Sequence, residues 1–418
     1  MSEMPILVLL APATGLLDAA NIARGREGDP VVLGLGLTRR AVLAAGRSGY
    51  GHVFLLASNG VTAPWMPVVA DWRNLAARSP SFETARVVIA PAAILAETDW
   101  LRRLAATRIE AAAWAAARNR IVVLPSGLGP DLVDLLEGAE DLSAVEGRLA
   151  SHLGPAERIA VDINPLVVET PADVPVAERR LMRSLVKDTD GFMARHVERP
   201  ISLMISRRLA GTAVTPNQMS LISIAVGLCG APFFLSARPL LQTVGALLFL
   251  AHSILDGCDG ELARLKFQQS RWGGILDFWG DNVVHVAIFA CMGVGWSLAE
   301  RALWPLWLGA AAVLGTLGSA GFVYWRLMRV KDGGDTLFTS VSDAPERPLT
   351  RLLDSASRRD FIYLVILLAL FGRSSWFVAL AGIGAPVYFI LVLLAARPGG
   401  PAKRPDESDP SLASGVNR

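Results

Sequence analysis

The sequence predicts a two-part chain: an α/β region over residues 1–175, then an all-α region with six membrane-spanning helices over 215–396. Three observations predict it. Mean hydropathy is +0.41, too high for an ordinary soluble protein. The apolar residues are unevenly spread: residues 1–185 mix charge and hydrophobe as a globular domain does, whereas from about 219 onward the apolar runs are long enough to span a bilayer. Within the first part, short apolar runs alternate with helical patterns, which argues for a doubly wound α/β arrangement.

The elements follow in order. The opening "MSEMPILVLLAPATG" has no basic n-region and reads as a first strand, not a signal peptide. "ILVLL", "GHVFLLA", "ARVVIAP" and "RIVVLP" read as buried parallel strands. "TRRAVLAAGRSG", "DWLRRLAATRIEAAAWAAARN" and "DLSAVEGRLASHLG" read as helices between them. Residues 176–214 are amphipathic and basic, as expected of helices lying on a membrane surface. In "TPNQ", Thr215 suits a helix cap and Pro216 a first turn. The apolar runs are 219–237, 240–256, 276–298, 303–325, 359–372 and 375–396; the fifth is the shortest. A polar loop is expected over 327–357 and a disordered tail over 397–418.

Two glycine-bearing stretches mimic nucleotide loops. "GLGLTR" from Gly34 lacks the third glycine and a suitable acidic partner. "LAAGRSG" from Leu43 reads as the end of a helix, with a glycine cap. The net charge of +2 argues for no partner and gives no sign of nucleic-acid binding. Its distribution is informative. If six spans alternate, Arg207, Arg208, Lys266, Arg271, Arg326, Arg329, Lys331, Arg347, Arg351, Arg358, Arg359, Lys403 and Arg404 share one side, leaving Arg238, Arg301 and Arg373 on the other. The positive-inside rule then expects a multi-pass protein of the cytoplasmic membrane, with both termini in the cytoplasm. The three cysteines, Cys229, Cys258 and Cys291, form no disulfide framework and no thiolate metal spacing.

The chemistry concentrates in "LDGCDGELARLKFQQSRWGGILDFWGD", Leu255 to Asp281. Four aspartates stand there between two uncharged runs, and a carboxylate near hydrocarbon is costly enough to demand a function. Asp256 and Asp259 are spaced i,i+3, and Asp277 and Asp281 i,i+4, so each pair shares a helix face. Brought together, the two faces make a carboxylate cage that hard divalent cations, Mg²⁺ or Mn²⁺, would neutralise. A pair of such ions about 4 Å apart is a common device for phosphoryl transfer. Gly257, Gly260, Ala263, Gly273 and Gly274 let a ligand approach the backbone, and Arg264 is placed to reach a diphosphate.

The stretch reads Asp-x-x-Asp-Gly-x-x-Ala-Arg, eight residues, then Gly-x-x-x-Asp-x-x-x-Asp. It resembles the signature of the CDP-alcohol phosphotransferases at every fixed position. That resemblance implies a membrane enzyme of phospholipid synthesis. Such an enzyme moves a phospho-alcohol group from a CDP-alcohol, CDP-diacylglycerol by expectation, to an acceptor hydroxyl and releases CMP. It also implies two Mg²⁺ or Mn²⁺ ions and a homodimer. Carried over, Asp256, Asp259, Asp277 and Asp281 are metal ligands and Asp281 is also the catalytic base. Asp256, Gly260, Ala263, Arg264 and Gly273 contact CDP. His252 and His285 either donate to the ligand carboxylates or pack between helices. Asn217 and Gln218 line the donor pocket or cap a span. Arg326 and Arg329 hold an acceptor phosphate or anchor headgroups.

The join "VVETPADVPVAERRLMRSLVKDTDGFMARHVERPIS" resembles the segment after the nucleotidyltransferase-like (Rossmann-like) domain of two-domain relatives. Here the expected glycine- and arginine-bearing loop is replaced by "APATGLLDAA". Pro91 and Ala92 stand where a metal-binding aspartate is expected, leaving Asp162 alone. The domain is therefore read as inactive, with a regulatory or structural role. Three rival readings stay open. One is a bifunctional cytidylyltransferase and phosphotransferase making an inositol-type phosphodiester. Another is a non-catalytic lipid-binding membrane protein. The third is a cation transporter, which Arg264 disfavours.

Overall fold

The computed structural model describes residues 4–11, 29–57, 66–79, 81–82, 84–107, 115–116, 121–126, 131–158, 165–186, 190–330 and 361–395. The chain divides into two compact units. The first gathers residues up to 188 together with 199–216 and 258–269; the second gathers 189–198, 217–257 and 270–418.

The first unit is built on a seven-stranded sheet. In chain order its strands and a small side ribbon are β1 (Ile6–Leu10), β2 (Val31–Val32), β3 (Leu35–Gly36), β4 (His52–Leu56), β5 (Val68–Val69), β6 (Val87–Pro91), β7 (Ala115–Ala116), β8 (Val122–Leu124) and β9 (Glu157–Arg158). The sheet order is β5-β4-β1-β6-β8-β7-β9, and β2 pairs only with β3. All five residues of β1 are buried, because it pairs in parallel with β4 on one side and β6 on the other. That explains a strand that is apolar throughout instead of alternating. Leu7 and Leu9 face a core shared with α1 (Leu37–Arg47). Ile6, Val8 and Leu10 face the opposite core, which takes in α2 (Trp72–Arg78). Next come α3 (Thr98–Ala106), α4 (Asp131–Leu136), α5 (Leu142–Leu153), α6 (Val174–Ser184) and α7 (Arg199–Ala210).

The parallel expectation fails at the fourth strand. β8 pairs antiparallel with β6, with Val88 opposite Val123. Periodicity cannot reveal this, because a strand buried on both faces is apolar whichever way it runs. The long helix expected over 99–119 is also corrected. It ends at Ala106, and Ala115–Ala116 joins the sheet as β7. Alanine is a good helix former, but propensity is a weak prior against sheet pairing. "LAAGRSG" does end a helix: α1 stops at Arg47, and the left-handed residue is Gly49, at φ +87°. At the other end of α1 the Asp29 carboxylate accepts the Thr38 amide at 3.2 Å and the Thr38 hydroxyl at 2.6 Å. The chain's own carboxylate thus fills the anion seat that "GLGLTR" mimics. At the carboxyl ends of β1, β4 and β6, where open α/β sheets bind ligands, stand the buried alanines Ala11, Ala57 and Ala92.

The second unit is helical. It comprises α8 (Pro216–Gly230, continued by a 3-10 turn to Leu235), most of α9 (Pro239–Leu265), α10 (Arg271–Glu300), α11 (Trp304–Val330), α12 (Phe361–Leu370) and α13 (Ser374–Ala395). Among the described residues, five helices are long and apolar enough to cross a membrane. The fifth expected run appears as α12, of only 10 residues. Phe234, Phe249, Val284, Ile288 and Phe289 form the inner core with Ile362, Val365 and Phe377. Leu240, Leu298, Trp307, Leu380 and Ile383 point outward, so the helices are apolar on both sides, as a lipid-facing bundle requires. Residues 327–330 of the expected polar loop continue α11 as helix; the rest of that loop, the tail, Asp162 and "PATGLLDAA" lie outside the described residues.

Burial holds the Asp29 carboxyl above the usual carboxylate pKa, against the opposing pull of its bonds to Thr38. A raised folded pKa contributes stability at low pH that is lost as pH rises through that value. Asp29→Asn should therefore gain thermal stability relative to the native chain as pH rises through the acid range, read as the difference between two melting curves. Asp29→Ala, which loses the bonds to Thr38, should cost about 1 kcal/mol at low pH and less as pH rises.

Candidate active site

Helix length puts the carboxylates together. α9 has 27 residues and α10 has 30, which at 1.5 Å per residue is about 40 and 45 Å. A bilayer core needs about 20 residues, so each helix has surplus turns. Asp256 and Asp259 fall near the last turns of α9, and Asp277 and Asp281 in the early turns of α10. Ser270 starts α10 by accepting the Gly273 amide at 3.0 Å. Gly273, expected to touch ligand, is thus engaged in the helix cap, and a Cβ there would stand 3.0 Å from the Asn217 side-chain oxygen. Asn217 itself is exposed in the first turn of α8.

Three of the four aspartates converge. One carboxylate oxygen each from Asp256, Asp259 and Asp277 lies within 4.8 Å of the other two. Asp256 is 7% exposed and Asp259 6%, so water screens their repulsion poorly. Three hard oxygen donors at that spacing suit Mg²⁺ or Mn²⁺. Next to them Gly260 has room: a Cβ there would meet only the Arg264 guanidinium, at 3.5 Å. Arg264 is half-buried and donates to the Leu185 carbonyl at 3.4 Å. Ala263 is buried.

Asp281 stands apart from that trio. Its Oδ1 is 3.3 Å from Nε2 of His252, a side chain only 1% exposed. Nδ1 of His252 is 2.9 Å from the Ser223 carbonyl. A carbonyl can only accept, so Nδ1 carries the proton and Nε2 is turned to the carboxylate. His285 is held differently. Its Nδ1 donates to the backbone carbonyl of Asp281 at 2.7 Å, and its ring packs edge-on against Phe249. Of the two histidines, His252 faces the Asp281 carboxylate. Arg326 and Arg329 lie on the last turns of α11, and their side chains fall outside the described residues.

The sequence reading missed two buried glutamates nearby. Glu261 is fully buried, paired with Arg199 at 2.9 Å and accepting from the Ser202 hydroxyl at 2.7 Å. Glu198 accepts from Ser253 at 3.0 Å and from Tyr363 at 3.3 Å. The available signal was "ERP" at 198–200, a charge pair directed into an apolar bundle.

Comparison with known proteins bears on the same stretch. Residues 213–381 match the family described as CDP-alcohol phosphatidyltransferase. The chain is 37% identical over 158 residues to the bifunctional IPC transferase and DIPP synthase of Thermococcus kodakarensis, covering 38% of this chain and 34% of that protein. It is 26% identical over 175 residues to the archaetidylinositol phosphate synthase of Pyrococcus horikoshii, covering 41% and 86% respectively. The solved phosphatidylinositol phosphate synthase of Mycobacterium tuberculosis with CDP-DAG bound aligns at 20% identity over 49% of this chain and 99% of its own, with a TM-score of 0.33. This chain spans about a third of the length of the bifunctional relatives that it matches.

His252 is wedged in place. A Cβ on Gly227 would stand 2.5 Å from Val284 Cγ1 and 3.0 Å from the His252 ring. Gly227→Ala should destabilise by about 1–3 kcal/mol, as overpacking does. Gly280→Ala meets only the flexible end of Ile224, at 2.2 Å, and should cost less. Melting curves of the two variants in detergent compare them directly.

Proposed function

Since residues 213–381 carry a CDP-alcohol phosphatidyltransferase domain, we propose that this chain is an integral-membrane transferase of phospholipid synthesis. It moves a phospho-alcohol group from a CDP-alcohol, CDP-diacylglycerol by this reading, to an acceptor hydroxyl and releases CMP. The observation that carries the reading is the convergence of Asp256, Asp259 and Asp277 within 4.8 Å beside the open space at Gly260.

The residues divide the work. Asp256, Asp259 and Asp277 would hold Mg²⁺ or Mn²⁺, two ions by the family resemblance, with Asp281 close enough in sequence to share one. Bound there, the metal neutralises the diphosphate and makes CMP a better leaving group. Gly260 and Ala263 leave room for the nucleotide, and Arg264 offers a forked donor to the diphosphate. Asp281 takes the proton of the acceptor hydroxyl as that oxygen attacks the β-phosphorus in line. Asp281, whose Oδ1 lies 3.3 Å from Nε2 of His252, is the carboxylate that this reading assigns as base. Arg326 and Arg329 remain the proposed holders of an acceptor phosphate.

By the positive-inside rule the aspartates and the N-terminal region face the cytoplasm, and α12 with its flanks makes the fifth of six spans. A lipid donor then enters sideways between helices while its nucleotide stays at the surface. The N-terminal region is read as nucleotidyltransferase-like and inactive. Ala11, Ala57 and Ala92 at the strand ends support that, since none carries a side chain able to bind metal or phosphate. The bifunctional reading would need CTP turnover from this region.

The test is CMP release by the full chain in detergent with Mn²⁺ or Mg²⁺, CDP-diacylglycerol and a panel of acceptor alcohols. Asp281→Asn should lower kcat at least about 100-fold. Asp277→Asn should weaken Mn²⁺ binding at least about 10-fold. Native turnover in Asp281→Asn would sink its assignment as base.

A further inference from the structure

We propose that Arg40 and Arg47 on α1 are positioning residues for the membrane site: through them the α/β region holds the short segment that joins the two aspartate helices. The proposal deepens the functional reading above and rests on it.

The end of α9 is built into the core of the α/β region. Leu265, its last residue, is 2% exposed and clusters with Leu37, Ala41 and Ala44 of α1. A helix end leaves carbonyls unsatisfied and favours a cation. Arg40 meets both needs. Its Nη1 donates to the Leu265 carbonyl at 3.3 Å, and its Nη2 to the Val32 carbonyl at 3.0 Å. Arg40 is itself buried, and burial lowers its pKa to about 10. No carboxylate pairs with it among the described residues. A buried guanidinium with only backbone acceptors is costly, so its placement at this helix end calls for a purpose.

The segment that follows is held at each step. Phe267 sits in the left-handed region at φ +56°, which a bulky residue rarely adopts. The Arg40 guanidinium stands 5.6 Å from its ring centre and that of Arg47 5.3 Å. Arg47 also donates to the Phe267 carbonyl at 2.7 Å and to the Gln269 side chain. Lys266 donates to the carbonyls of Thr212 at 2.8 Å and Val214 at 2.6 Å. So residues 266–269, all that separates α9 from the Ser270 cap of α10, carry contacts from two directions. The approach of Asp277 to Asp256 and Asp259 depends on how this segment turns. A segment free to swing would spend much of its time with the carboxylates apart, and metal would have to draw them in.

The experiment uses the full chain in detergent. Arg47→Ala removes the half-buried arginine and leaves the deeper Arg40. Three quantities are read: amide hydrogen exchange at 265–270, Mn²⁺ affinity without substrate, and the split of CMP release into kcat and KM. Arg47→Ala is expected to speed exchange at 265–270 and weaken Mn²⁺ binding, each about 10-fold. It should lower kcat with the acceptor KM unchanged. Arg47→Lys keeps the charge over Phe267 but loses the forked donor, so it should recover part of each change. Native exchange and native Mn²⁺ affinity in Arg47→Ala would overturn the proposal, as would faster exchange with native affinity. If Arg47→Ala does not fold, Gln269→Ala carries the test: smaller shifts in the same direction support the proposal, and native values overturn it. If the native chain binds no Mn²⁺, the functional reading fails and the positioning role falls with it. If the native chain binds and Arg47→Ala binds equally, only the positioning role fails.

Discussion

Mutual repulsion among three carboxylates is the constraint around which this protein is organised. Asp256, Asp259 and Asp277 hold oxygens within 4.8 Å of one another, with two of the three side chains buried. In a poorly screened setting such a cluster opposes its own formation. Something must force it, and the long, unbroken helices α9 and α10 do. Each carries its pair at i,i+3 or i,i+4 on one face, and the four-residue connection 266–269 between Leu265 and the Ser270 cap keeps the faces near. The cost of assembling the cluster falls on the fold, and a divalent cation bound there would offset it.

Three other buried carboxylates are held by donors from the chain. Glu261 meets a guanidinium and a hydroxyl from α7. Glu198 meets two hydroxyls. Asp29 caps a helix. Each of these is supplied with donors suited to a permanent structural role. Asp281 meets an imidazole whose proton sits on the far nitrogen.

The α/β region changes in meaning beside this site. Its strand ends carry alanines, and its one helix N-terminus of phosphate-loop type is sealed by Asp29. Yet α1 reaches the end of α9 with two arginines.

Much of the site was legible in the sequence because helical spacing is local. Four aspartates at i,i+3 and i,i+4, with small residues between, dictate which side chains share a face before any tertiary contact forms. The apolar runs were legible for the same reason: bilayer thickness sets a length that can be counted. What the sequence could not determine depended on the partner across space. β8 runs antiparallel to β6, and its uniformly apolar residues suit either direction. Ala115–Ala116 reads as helix and became strand because an open sheet edge was available. His252 and His285 are equally spaced from the aspartates, and only the packing of Gly227, Ser223 and Phe249 turned one ring to a carboxylate and the other to a backbone carbonyl. The sequence by itself determined the chemistry and its local spacing. The tertiary structure decided which of those groups meet, since that follows from the helix crossings and the segment that sets them.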